Sequence, residues 1–107
     1  MKIIFEKNYL NELFTSGKAK KKKYSFQPQV IKQYIKTVNI LRAATNTESL
    51  YQFKSLHYEK KTGDLKSIEA VWVNDQYRLE FQTSIEGEDP NTITICSLLD
   101  LSKHYKK

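Results

Sequence analysis

Two runs of alternating apolar and polar residues, separated by a turn-forming pair, constrain this chain more than anything else in it. The first is Ser67-Ile68-Glu69-Ala70-Val71-Trp72-Val73, the second is Gln76-Tyr77-Arg78-Leu79-Glu80-Phe81, and Asn74-Asp75 stands between them. Period-two alternation on both sides of such a pair specifies a β-hairpin. Successive side chains of a strand point to opposite faces, so Tyr77, Leu79 and Phe81 share one face while Arg78, Glu80 and Gln82 share the other. With the apolar set turned to a core, Arg78 stands on the open face of the sheet, where a polyanion could lie. Ahead of the hairpin, a polar loop carries His57, Lys60, Lys61 and Lys66.

The rest of the chain supplies a scaffold for that hairpin. Residues 3–5 form a short apolar run that reads as an opening strand. Asn8 is a residue type that caps helices, and Tyr9, Leu10, Leu13 and Phe14 recur at one-face spacing up to Ser16-Gly17. Pro28 suits the first turn of a second helix. There Ile31, Tyr34, Ile35, Val38 and Leu41 trace an apolar stripe, with Tyr34 at the edge of the core, while Lys32, Gln33, Lys36 and Asn39 face water. Thr45-Asn46-Thr47 ends that helix, and residues 48–53 make one further turn. After the hairpin comes an acidic turn at residues 86–91. A last strand follows over residues 92–98, with Ile93 and Ile95 on one side and Thr92, Thr94 and Cys96 on the other. Residues 99–107 read as a polar tail ending in an aromatic and basic cluster. Strand, helix, helix and then three strands specify an α+β fold, with two helices on one face of a small antiparallel sheet.

A chain of 107 residues with 39% apolar content reads as one folded domain, residues 1–107, and not as a disordered tail. The balance of 18 basic against 12 acidic residues, a net +6, favours an acidic or polyanionic partner. Only Arg42 and Arg78 among those cations are arginines, whose planar fork suits phosphate better than the point charge of lysine. One cysteine leaves no internal disulfide and fits a reducing compartment. Two histidines and one cysteine, far apart in sequence, offer no recognisable metal spacing. The opening residues hold too short an apolar run for a signal peptide or membrane span. The expectation is a cytoplasmic protein with no membrane contact, no metal and no cofactor.

With three glycines in the chain, a glycine-rich phosphate loop is excluded, and no nucleophile elbow or paired-histidine metal helix occurs. Cys96, with no base near it in sequence, reads as a packed strand residue. What remains is His57, Lys60, Lys61, Lys66, Arg78, His104 and Tyr105. That set holds the groups needed to break an RNA phosphodiester without metal: a base for the ribose 2′-hydroxyl, cations for the charge on the dividing phosphate, and an acid for the leaving 5′-oxygen. Histidine titrates nearest neutral pH and is the natural acid or base. The run Lys18-Ala19-Lys20-Lys21-Lys22-Lys23 reads either as a nucleic-acid contact or as a solvated loop between helices.

Leu56-His57, Lys60, Gly63-Asp64-Leu65-Lys66, Val71-Trp72-Val73-Asn74 and Tyr77-Arg78-Leu79 resemble the HigB-type branch of the RelE/ParE toxin superfamily. The usual form there is close to Leu-His-Pro-Leu-Lys-Gly-Asp-Leu followed by a Val-Asn-Gly-x-(Trp/Tyr)-Arg-(Leu/Ile) strand pair. The element order matches as well, so the resemblance covers nearly the whole chain. It implies the toxin of a type II toxin–antitoxin pair, an mRNA endonuclease that cuts in the decoding site of the ribosome and is held by a helix-turn-helix antitoxin of the HigA type. Carried over by position, it implies that His57, Lys60 and Arg78 orient the RNA and stabilise the scissile phosphate. It also implies a functional C-terminal histidine, matched by His104. The sequence departs from the pattern in three places. Tyr58-Glu59 replaces Pro-Leu. Lys61-Thr62 is inserted before Gly63, which leaves Lys60 and Lys61 as alternatives. Ser102-Lys103 separates Asp100-Leu101 from His104, so either His104 or Tyr105 fills the terminal role. Lys20, Lys21, Lys22, Lys23, Lys61, Lys66 and Tyr105 are the expected RNA and ribosome contacts. Two other readings stand beside this one: a gyrase poison of the ParE type, and a non-catalytic RNA- or protein-binding module.

Overall fold

In a computed structural model, residues 1–60 and 67–103 are described. The elements run β1 (Lys2–Phe5), α1 (Asn8–Ser16), α2 (Pro28–Ala43), β2 (Glu59–Lys60), β3 (Glu69–Trp72), β4 (Tyr77–Glu86) and β5 (Ile93–Lys103), with short 3-10 segments at Lys22–Tyr24, Glu48–Gln52 and Lys54–Leu56. The α+β class is as expected, but the sheet is mixed. Its order is β1-β5-β4-β3-β2, and β1 runs parallel to β5 while every other pair is antiparallel. Chain order explains the parallel pair, because two helices intervene between β1 and the rest of the sheet. A strand reached through helical crossovers need not reverse direction as a hairpin strand must.

Both helices lie on one face of the sheet. Leu10 and Leu13 of α1, Tyr34, Val38 and Leu41 of α2, and Val71, Leu79, Phe81, Cys96 and Leu98 of the strands are almost wholly buried together. Each such side chain contributes roughly 1.5–3 kcal/mol of burial free energy. The buried row of α2 is set one step round from the expected stripe: Val30 and Thr37 are buried, while Ile31 and Ile35 are half-buried at its flank. Tyr34 is no edge residue. It is fully buried, and its hydroxyl donates to the Leu10 carbonyl at 2.7 Å, tying the two helices together. Gly17 ends α1 in the left-handed region at φ 73°, where glycine carries no Cβ penalty. Asn8 makes no side-chain cap; it is the first helical residue, and Lys7 precedes it in extended conformation.

The final strand is longer than its alternation suggested. Residues 99–103, read as a polar tail, continue β5, and Leu99 is the extra residue of a bulge: Glu80 faces Asp100 while Phe81 faces Leu98. The bulge breaks strict alternation, which is why the pattern was lost there. It turns Leu101 back to the core, where the Tyr9 hydroxyl accepts from its N–H at 2.8 Å and itself donates to Asp100. Cys96 is buried among the core residues, and burial pushes its thiol up to about 12, so it is a packed strand residue as expected. Ile93, by contrast, is exposed.

Candidate active site

The turn of the hairpin decides what stands beside Arg78. Asn74 folds its side chain over the turn, and its Oδ1 accepts from the Gln76 and Tyr77 N–H groups at 2.8 and 2.7 Å. Such a turn spans more than Asn74-Asp75, and the strands resume at Trp72 and Tyr77. A two-residue turn would set Val71 opposite Arg78; the longer one sets Trp72 there. On the far side of Arg78 lies Ser102 of β5. Trp72, Arg78 and Ser102 therefore form one row across three strands, on the face away from the helices.

His57 joins this row from outside the sheet. The 3-10 segment Lys54–Leu56 ends in His57, which takes the left-handed conformation (φ 46°, ψ 47°) while Leu56 is buried beneath it. The imidazole stacks on the Trp72 indole with ring centres 3.8 Å apart. His57 and Trp72 open onto a cleft of about 290 Å³ whose other wall is Gln33, Lys36 and Thr37 of α2.

Arg78 is largely covered, with its side chain 18% exposed, and pairs with Glu80 at 3.2 Å and, at the 4.0 Å limit, with Glu59. Among the described residues its Nε–H, like the Ser102 hydroxyl beside it, is buried without a hydrogen-bond partner. A guanidinium offers five N–H donors in a fixed fork, and the ion pairs to Glu59 and Glu80 engage the two Nη groups. Trp72 is the residue that sequence reasoning passed over as a functional one. The signal was available in the single tryptophan of the chain, but its place depends on a turn length that alternation alone does not give.

The expected site is thus partly assembled. His57 and Arg78 are both neighbours of Trp72. Lys60 is not in that group: β2 pairs Glu59 with Ala70 and Lys60 with Glu69, so Glu59 shares the outer face with Arg78 and Lys60 falls in the opposite row. Lys61, Lys66, His104 and Tyr105 lie outside the described residues. Among the described residues, no group of three His, Cys, Asp or Glu side chains could hold a metal ion. No helix among them is long and apolar enough to cross a membrane.

Lys20, Lys21, Lys22 and Lys23 are exposed, yet they do not sit on a featureless loop. Tyr24 stacks flat on Tyr9 at 3.8 Å, with Lys23 Nζ 5.0 Å from the Tyr24 ring centre. Tyr9 contacts Phe26, and Phe26 meets Tyr77 edge-on at 5.4 Å. Ring contacts therefore connect the lysine segment to the residue next to Arg78. Lys103 Nζ lies over the Tyr77 ring, 6.0 Å from its centre.

Comparison with known proteins bears on this arrangement. No curated protein and no solved structure matches the chain. A family model does match, over residues 3–96: the HigB-like toxins, described as the RelE-like toxin of the type II toxin–antitoxin system HigB. The matched span contains His57, Trp72 and Arg78 and stops short of Ser102 and His104. The mixed sheet carrying two helices on one face fits a RelE-like fold, and the chain belongs to the HigB-like family of type II toxins.

Proposed function

We propose that this toxin is a ribosome-dependent mRNA endonuclease that cuts within the decoding site of the ribosome in the cytoplasm, and that a helix-turn-helix antitoxin of the HigA type holds it in check. The observation that carries this reading is Arg78: a largely covered guanidinium with an uncommitted Nε–H, one residue across the sheet from the tryptophan on which His57 stacks. A phosphate needs planar donors in that setting, and the transition state of RNA cleavage gains charge on its equatorial oxygens. Arg78 stabilises that charge. His57 takes the proton of the 2′-hydroxyl or gives one to the 5′-oxygen, and it needs no metal to do so. Attack of the 2′-oxygen on phosphorus forms a 2′,3′-cyclic phosphate as the P–O5′ bond breaks, and the proton passes to the departing oxygen. His104 or Tyr105 supplies the second proton-transfer group. Lys60 or Lys61, together with Lys66, holds the RNA backbone.

The lysine segment supports ribosome dependence. Lys20, Lys21, Lys22 and Lys23 are exposed cations anchored through the stacked Tyr24 and Tyr9 rings, a surface suited to the phosphates of ribosomal RNA. A ribosome also presents the codon in a fixed geometry, so the toxin need supply only charge and proton transfer.

Purified toxin incubated with a defined mRNA, with and without programmed ribosomes, tests the proposal when the 5′ ends are mapped. Cuts that require ribosomes and fall inside the decoding-site codon are expected. Growth arrest without any cut in either arm would overturn it in favour of gyrase poisoning; neither cuts nor arrest would leave a binding module.

A further inference from the structure

His57 occupies a backbone conformation that residues with a side chain seldom adopt, and such a conformation persists where the surroundings hold it. The residue after it is fixed unusually well. The Tyr58 hydroxyl donates to Glu69 Oε1 at 2.5 Å, and its ring is packed between Tyr51 and Phe81. Glu69 is 1% exposed, and its other oxygen accepts from Thr83 twice, from the N–H at 3.0 Å and from the hydroxyl at 2.7 Å. That carboxylate is thus held by β4 and holds Tyr58 in turn. Burial, and then the bond to Glu69, push the Tyr58 phenol up, so it remains a donor.

Strand β3 grips the His57 loop at two points. Trp72, on its outer face, receives the imidazole; Glu69, on its inner face and three residues earlier, receives the hydroxyl of the next residue along. Packing alone would leave Tyr58 free to slide over Phe81. A hydrogen bond to a carboxylate fixed on both oxygens gives it one direction.

We propose that Tyr58 and Glu69 are positioning residues that aim the His57 imidazole along the Trp72 indole, a role that rests on His57 being the proton-transfer group of the toxin. The test reads the geometry and the activity separately. In proton NMR of the full chain, with His57 assigned by comparison with His57→Gln, the ring protons of His57 are expected upfield because they lie over the indole face. Tyr58→Phe keeps the ring and its packing but removes the bond, and the upfield displacement is expected to vanish while the core methyl signals stay dispersed. Glu69→Gln still offers Tyr58 and Thr83 hydrogen-bonding partners, and it should retain the displacement. Retention in Tyr58→Phe, or equal loss in Glu69→Gln and Tyr58→Phe, would overturn the proposal. Ribosome-programmed cleavage by Tyr58→Phe is expected to drop about tenfold or more, since misplaced groups lose rate steeply. Loss of the NMR displacement with full cleavage would uphold the positioning but remove His57 from the chemistry.

Discussion

Glu69 and Arg78 are two charged residues of the same sheet, one on each face, the first buried and the second largely covered, and they are treated in opposite ways. Glu69 lies on the helix side with both oxygens engaged by three donors from Tyr58 and Thr83. Arg78 lies on the outer side with two ion pairs, one of them at the distance limit, and with Nε–H left over. Removing a charge from water costs several kcal/mol unless hydrogen bonds restore what hydration gave. Glu69 is compensated within the protein, and its value is structural. Arg78 is compensated less completely, by two ion pairs and with its Nε–H unpartnered among the described residues. A buried charge in this fold is therefore read by counting its partners.

The contrast breaks most readily at Glu69. Glu69→Ala takes the carboxylate from the Tyr58 hydroxyl and from both Thr83 donors, and should cost about 3–5 kcal/mol in urea unfolding. A loss below about 1 kcal/mol would mean that the three bonds carry little. Arg78→Ala should do the reverse: a fall of at least about a hundredfold in ribosome-programmed cleavage, with stability changed by no more than about 1 kcal/mol because its carboxylate partners remain partly solvated. An Arg78→Ala protein that cleaves at the wild-type rate would end the assignment.

The inner face has a signature of its own in alkali. The buried Cys96 thiol is pushed from 9.0 up to about 12, so the folded chain keeps a proton that the unfolded chain releases. Its contribution is full below about pH 9 and is lost as pH climbs toward 12. Urea stability followed from pH 8 upward should decline, and Cys96→Ala should decline less steeply. The smallest expected effect sharpens the outer face. Glu59→Gln removes the weaker competitor for Arg78 and should raise cleavage by up to about fivefold, the most that a surface-grade ion pair allows. A decrease would show that Glu59 assists the site.

Much of the inner face was legible. Alternation over residues 67–81 and helical spacing over residues 28–44 reported the hairpin and α2, because both elements bury one side against the same core. Cys96 was legible too, for want of a basic neighbour. The outer face was less so, since nothing apolar is required there. Arg78 was placed on it by parity alone, but its pairing with Trp72 depends on the Asn74 turn, and the course of residues 99–103 on a bulge that erases the period-two signal. Lys60 illustrates the same limit. Its membership of a basic loop is visible in sequence, whereas its side of the sheet follows from the register of a two-residue strand.

The parallel pairing of β1 with β5 sets an order of events during synthesis. Residues 2–5 are made long before their partners, residues 95–98. Until then the opening strand has no ladder to join, and the N-terminal helices have no completed sheet to cover. Contacts so distant along the chain are slow to close and leave apolar edges open while they wait. A toxin built this way closes its sheet only after β5 has been made.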